Sequence, residues 1–183
     1  KSPLLLIGAG ANRKRVSEAL TTFVEAIGIP FFTTQMGKGV VDERHPLYLG
    51  SAALSDHDFL HCAIDRADLI INVGHDVLEK PPFFMEHGGK QVIHVNFSPA
   101  EVDAVYFPQL NVVGDIAFSV QQLAKLIENK NHWDLSFFKT IKTEVDQHLS
   151  KYFLDTRFPM LPQRLVHVLR ETLAEDAVLS LDN

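Results

Sequence analysis

The stretch Leu4-Leu5-Leu6-Ile7-Gly8-Ala9-Gly10-Ala11-Asn12 decides the fold. Four apolar residues run into two glycines spaced for a tight turn, and an amphipathic helix pattern follows. In that order, a buried parallel strand presents backbone N–H groups to a phosphate. Asn12 is placed to cap the helix. Val16, Leu20, Phe23, Val24 and Ile27 then recur at helical spacing, giving one apolar face. Gly28 and Pro30 end it. Arg13, Lys14 and Arg15 fall in the first turn, where the helix dipole disfavours cations. They are either solvated surface charges or aids to holding an anion.

The same grammar repeats along the chain. Phe31-Phe32-Thr33-Thr34 reads as a second strand, followed by the glycine loop Met36-Gly37-Lys38-Gly39. Pro46-Leu47-Tyr48-Leu49-Gly50 is irregular or a very short strand. Ser55 and Asp58 have capping-box spacing before a helical face of Phe59, Leu60, Ala63, Ile64 and Ala67. Leu69 to Val73, Val92 to Asn96 and Asn111 to Val113 read as further strands. Ser98-Pro99-Ala100-Glu101 predicts a short helix, and Asp115 caps a helix carrying Ile116, Val120, Leu123 and Ile127.

Apolar runs alternating with amphipathic helices predict an α/β fold. We expect a Rossmann-like three-layer α/β/α architecture with a parallel sheet of five or six strands. Ligands of such sheets lie at the strands' carboxyl ends. The residues placed to meet one are Gly8, Gly10, Asn12, Thr34, Gly37, Gly74 and Asn96. The expected organisation is this domain over residues 1–129, a linker with a helix over 130–161, and a truncated further domain over 162–183. In the last, Pro162 to Leu173 reads as a helix and Ala177 to Leu181 as a strand. An apolar run that close to the last residue suggests a piece of a longer protein.

Composition narrows the function classes. The 183 residues carry 17 Lys plus Arg against 23 Asp plus Glu, a net charge of −6. That leaves no electrostatic footprint for nucleic acid or an anionic membrane surface. No apolar run approaches the ~18 residues of a membrane span. Cys62 is the single cysteine, so neither an internal disulfide nor a multi-cysteine zinc site can form. This fits a reducing, cytoplasmic location.

The chemistry-bearing motifs are sparse. Gly8 and Gly10 match the first two glycines of a dinucleotide fingerprint, but Arg13 stands where the third belongs. Thr33-Thr34-Gln35 offers no acidic ribose ligand after the second strand, which disfavours an ordinary NAD site. A nucleotide approached by backbone at Gly8, Gly10 and Gly74 and a purely structural turn both remain open. His57 and His61, one helical turn apart beside Asp56 and Asp58, could share a metal or simply lie on a surface helix. His75-Asp76 could act as acid or base at the ligand end of the sheet. Cys62 reads as a core residue. No catalytic residue and no metal site is assigned.

Several stretches together resemble the central domain of thiamine-diphosphate-dependent enzymes, most closely acetolactate synthase. They are Pro3 to Gly10, Gly28 to Gly39, Ala67 to Gly74 and Val113 to Ile116, with Ala177 to Asn183 similar to the start of the diphosphate-binding domain. The resemblance implies a parent that decarboxylates pyruvate on thiamine diphosphate and magnesium and condenses the product with a second 2-keto acid, as in branched-chain amino acid biosynthesis. It places the catalytic glutamate and the Gly-Asp-Gly metal motif in other domains, so this piece is expected to be structural and inactive alone. Its implied partners are those domains, in a homodimer or homotetramer. Some family members hold FAD on this domain. The run His75-Asp76-Val77-Leu78-Glu79-Lys80-Pro81-Pro82 resembles the flavin-free type, and Asn96 and Ser98 replace the family's acidic residues. FAD is therefore disfavoured. The competing reading is a regulatory module binding FAD, ADP or CoA. A sirtuin-type deacylase is rejected, because a whole helix separates its Gly-Ala-Gly and Gly-Ile-Pro motifs here and its zinc cysteines are missing.

Overall fold

The computed structural model describes residues 1–52, 59–75, 79, 83, 85–127 and 133–180. In chain order the elements are β1 (Pro3–Ile7), α1 (Lys14–Ile27), β2 (Phe31–Thr34), β3 (Tyr48–Ala52), α2 (Phe59–Arg66), β4 (Leu69–Val73), β5 (Gln91–Asn96), β6 (Leu110–Val113), α3 (Ile116–Leu126), α4 (Ser136–Ser150) and α5 (Pro162–Thr172). Six parallel strands form one sheet in the order β3-β2-β1-β4-β5-β6. This is the three-layer Rossmann-like α/β fold expected. None of the described helices is long and apolar enough to cross a membrane.

Strand register sorts the side chains between the two faces of the sheet. Leu5 pairs with Phe31 and Ile71, and Ile7 with Val73, on the face that packs against α1 and α3. Leu20, Phe23, Val24 and Ile27 of α1 meet Ile116, Ala117 and Val120 of α3 in that core. Fully burying each such Leu, Ile or Phe contributes roughly 1.5–3 kcal/mol. On the opposite face Leu6 pairs with Asn72, which pairs with His94. A polar row therefore crosses an otherwise apolar layer.

Several local expectations are corrected. Asn12 does not cap α1: a single 3-10 turn, Ala9–Ala11, intervenes, and Arg13 takes the cap position without a side-chain bond. Gly28 does end α1, at φ 71° with its N–H on the Val24 carbonyl. Ser98 to Glu101 forms no helix. The Ala100 N–H is taken by Asn111 Oδ1 at 3.0 Å, and Asp103 turns the chain back by accepting from the N–H groups of Val105 and Tyr106. Cys62 is exposed, because Leu60, Ala63 and Ile64 define the buried side of α2 and position 62 falls opposite Leu60. Residues 177–180 are not a strand; Val178 is 97% exposed. Ser55, Asp56, His57, Asp58, Asp76, Val77, Leu78, Lys80, Pro81, Pro82, Leu181, Asp182 and Asn183 lie outside the described residues.

The chain divides into two compact units, Lys1–Lys142 and Thr143–Asn183. In the first, Phe138 and Ile141 of α4 are buried. In the second, the Phe153 ring stacks on His167 at 4.2 Å and the Phe153 carbonyl accepts from Arg164. Helix α5 has Pro162 at its start and buries none of its residues.

Candidate functional site at the strand ends

The strand order reverses between β1 and β4, which places the crevice of this fold at their carboxyl ends. There Gly8 donates its N–H to the Val73 carbonyl at 2.9 Å and Gly10 to the Gly74 carbonyl at 2.7 Å. Gly74 has φ 68° and donates to the Val95 carbonyl. A Cβ on it would run into the Ala11 amide. The turn after β1 thus lies directly on the end of β4, backbone against backbone. Glycine is required there for close approach as well as for the left-handed conformation.

The remaining expected residues gather around the same corner. Gly37 donates to Thr34 Oγ1 at 3.1 Å, and a Cβ on Gly37 would strike the Ile7 carbonyl. Asn12 reaches the Met36 carbonyl with Nδ2 at 3.3 Å. Asn96 donates to the His75 carbonyl and accepts from the Phe97 N–H, both at 2.8 Å. A Cβ on Gly10 would come within 3.3 Å of Asn96 Oδ1. Gly8, Asn12, Thr34 and Gly37 therefore form one side of the corner, and Gly10, Gly74 and Asn96 the other.

Glu79 completes the corner. Its Oε2 accepts the Ala9 N–H at 3.0 Å, and its Oε1 accepts the Thr34 hydroxyl. A Cβ on Gly8 would lie 2.8 Å from Glu79 Oε2. The chain's own carboxylate therefore takes the Ala9 N–H, the turn donor that is left once Gly8, Gly10 and Ala11 have given theirs to backbone carbonyls. Of the basic residues at the start of α1, Arg13 lies over the Phe97 ring at 4.5 Å and Arg15 pairs with Asp115 at 2.8 Å.

Beside Glu79, a cavity of about 450 Å3 is lined by His75, His94, Asn96, Asp103 and Tyr106. Its floor is a polar relay. Asn72 Nδ2 donates to the Tyr106 hydroxyl at 2.6 Å, leaving that hydroxyl to donate to His94 Nδ1 at 3.0 Å. Burial pushes the Tyr106 phenol up to about 12, opposed by the bond from Asn72. Burial, and then the neighbouring His75, hold the His94 imidazole below its ordinary value, with the Ser98 backbone drawing the other way. His94 is accordingly neutral, with Nδ1 as acceptor and Nε2 carrying the proton.

Among the described residues, no group of three or more His, Cys, Asp or Glu is placed to hold a metal. His61 is described but His57 is not; His75 is buried at the ligand end, while its expected companion Asp76 is not described. Sequence reasoning did not single out Glu79, Tyr106 or His94 as site residues. For His94 a signal existed: a polar residue in Val92-Ile93-His94-Val95, register partner to Asn72 in Leu69-Ile70-Ile71-Asn72-Val73. For Glu79 the signal was the run His75 to Pro82, read above as resembling the flavin-free type; for Tyr106 no local pattern marks the role.

This crevice at a topological switch defines a Rossmann-like domain whose glycine turn is met by an internal acid. The model of the thiamine pyrophosphate enzyme central domain matches residues 1–123, and the chain belongs to that family. It is 32% identical over 137 residues to the acetolactate synthase large subunit of Cyanidium caldarium, covering 73% of this chain and 23% of that one. It is 26% identical over 185 residues to the chloroplastic acetolactate synthase 2 of Zea mays, covering 98% and 29%. A solved thiamin diphosphate-dependent enzyme from Mycobacterium smegmatis shares the fold with a TM-score of 0.59 at 23% identity, over 73% of this chain and 26% of that one. The chain thus spans less than a third of the length of these relatives.

Proposed function

We propose that this chain is the spacer domain of an acetolactate synthase-like enzyme, holding catalytic domains in register without itself binding a nucleotide. The parent would decarboxylate pyruvate and condense the product with a second 2-keto acid. Thiamine diphosphate would supply the carbanion chemistry and magnesium would anchor its diphosphate. The sequence contains no Gly-Asp-Gly run for that metal, so both sites belong to other parts of the parent. We place the domain at residues 1–129 with 130–161 as linker and 162–183 as the start of the next domain. The parent is read as a cytoplasmic homodimer or homotetramer.

The observation carrying this reading is the Glu79 carboxylate on the Gly8–Gly10 turn, accepting from Ala9 and Thr34. The residues present do not fit a flavin or nucleotide diphosphate, whose negative charge would meet that carboxylate at the donors it needs. The first test is to titrate the purified chain with FAD, ADP and CoA while following thermal unfolding. A ligand at 100 times its dissociation constant adds roughly 2.7 kcal/mol. No shift is expected; flavin absorbance in the purified protein, or a shift with any of the three, would overturn the spacer reading in favour of a regulatory module. The second test is acetolactate formation from pyruvate by the parent, and its absence with cofactor supplied removes the proposed activity.

A further inference from the structure

The irregular segment between β5 and β6 reaches into the sheet through the side chain of Tyr106. We propose that residues 98–107 form an acid-released latch: protonation of His94 unseats Tyr106, and the segment lifts from β4 and β5 while the sheet stays folded.

The relay geometry carries it. Tyr106 is 5% exposed, and its hydroxyl accepts from Asn72 Nδ2 at 2.6 Å while donating to His94 Nδ1 at 3.0 Å. That arrangement requires a lone pair on Nδ1. A protonated imidazole carries hydrogen on both ring nitrogens. Its Nδ1–H would face the hydroxyl hydrogen, and the oxygen behind is already met by the Asn72 amide. The relay then holds more donors than acceptors, around a charge shielded from solvent.

The neighbouring groups do not relieve it. Around the cavity, Glu79 is engaged by the Ala9 N–H and the Thr34 hydroxyl, and Asp103 by the N–H groups of Val105 and Tyr106. Glu101 is exposed. His75, past the end of β4, has its ring 5.5 Å from that of Tyr106, and its charge works against a second one on His94. The Ser98 backbone favours the proton, but burial outweighs it.

The other bonds of the segment can part without disturbing a strand. The Val105 carbonyl accepts from the Met85 N–H at 2.7 Å, and Met85 Sδ from the Phe107 N–H at 3.2 Å. Both lie outside the ladder of the sheet. Once the segment lifts, His94 meets water and returns to its ordinary value of 6.5. The lifted form therefore binds the proton better, and acid favours it.

The test is amide exchange by NMR on the 183-residue chain, corrected for the intrinsic rate at each pH. Protection of the Met85 and Phe107 amides is expected to fall about tenfold between about pH 7.5 and about pH 5.5. The Leu5 and Ile71 amides of β1 and β4 are expected to stay at least about tenfold better protected at both pH values. His94→Asn offers an amide oxygen in place of Nδ1 and takes up no proton, so its segment should exchange alike across the range. If that variant does not fold, the imidazole rings of wild type are titrated instead. The midpoint for the segment must then match the His94 ring and not the His75 ring. Exchange of Met85 and Phe107 in step with the core amides overturns the proposal, as does an equal acid response in His94→Asn or a midpoint belonging to His75. So does a segment that stays shut while His94 titrates, because the relay would then simply reverse its direction.

Discussion

Asn72 Nδ2 donates to the Tyr106 hydroxyl across 2.6 Å, tying a central strand to a loop without regular structure. The hydroxyl continues to His94 Nδ1 at 3.0 Å. Both ends of this relay sit in the sheet, where Asn72 is 0% and His94 2% exposed. Tyr106→Phe removes the middle group and strands a buried donor and a buried acceptor at once. An unpaired buried polar group costs about 1–3 kcal/mol. We expect a loss in that range by urea unfolding with an unchanged slope; a loss below about 0.5 kcal/mol would mean that water replaces the hydroxyl.

Burial of the same two groups makes stability fall at both ends of the pH scale. Tyr106 keeps its proton to about pH 12 in the folded chain, against 10.0 ordinarily. The unfolded chain loses that proton first, so this contribution is complete below pH 10 and declines as pH rises toward 12. A shift of that size corresponds to about 3 kcal/mol. His94 is displaced downward, so neither state holds the proton above its ordinary value of 6.5. Below that value the unfolded chain takes up a proton that the folded one resists, and stability falls. Unfolding midpoints of wild type and Tyr106→Phe, compared across the alkaline range, isolate the phenol; parallel curves would refute the assignment.

Gly74 and Gly28 separate conformation from collision. Both have positive φ, 68° and 71°, yet a Cβ at Gly28 meets nothing within 4 Å, whereas one at Gly74 strikes Ala11. Gly28→Ala should cost about 1–2 kcal/mol, the left-handed penalty alone. Gly74→Ala adds displacement of backbone at the switch point and should exceed 3 kcal/mol or prevent folding. Equal losses in thermal unfolding would show that the Gly8–Ala11 turn moves aside freely.

Asp115 tests a third contact. Its Oδ1 accepts the Phe118 N–H at 2.7 Å at the start of α3 and also pairs with Arg15 at 2.8 Å. Asp115→Ala should cost about 1 kcal/mol through the lost cap. Arg15→Ala should cost under about 0.5 kcal/mol, because the pair is exposed and screened. A larger effect from Arg15 would reverse that order.

How much of this could be read from sequence depends on the range of the interaction. Leu4 to Ile7, Phe31 to Thr34 and Leu69 to Val73 declare buried strands by their own composition, and Asp115 declares its cap three residues ahead of its partner. The Ser98–Glu101 spacing satisfies a helix start locally, yet the Asn111 side chain claims the Ala100 N–H from across the loop. Cys62 looks internal by residue type; only the phase of Leu60, Ala63 and Ile64 turns it outward. The glycines of the site were legible because each bears a backbone constraint. Tyr106 was not, and of Glu79 only its run could be read, since the partners that fix both lie far away in the chain.

Glu79 meets Ala9 from 70 positions away. A short glycine pattern is commonly treated as a statement about what a protein takes from solution. Here a side chain far along the same polymer occupies one of its backbone donors. The pattern Gly8-Ala9-Gly10 is then a statement about vacancy, true only of sequences in which nothing later in the chain is long enough, and acidic enough, to move in.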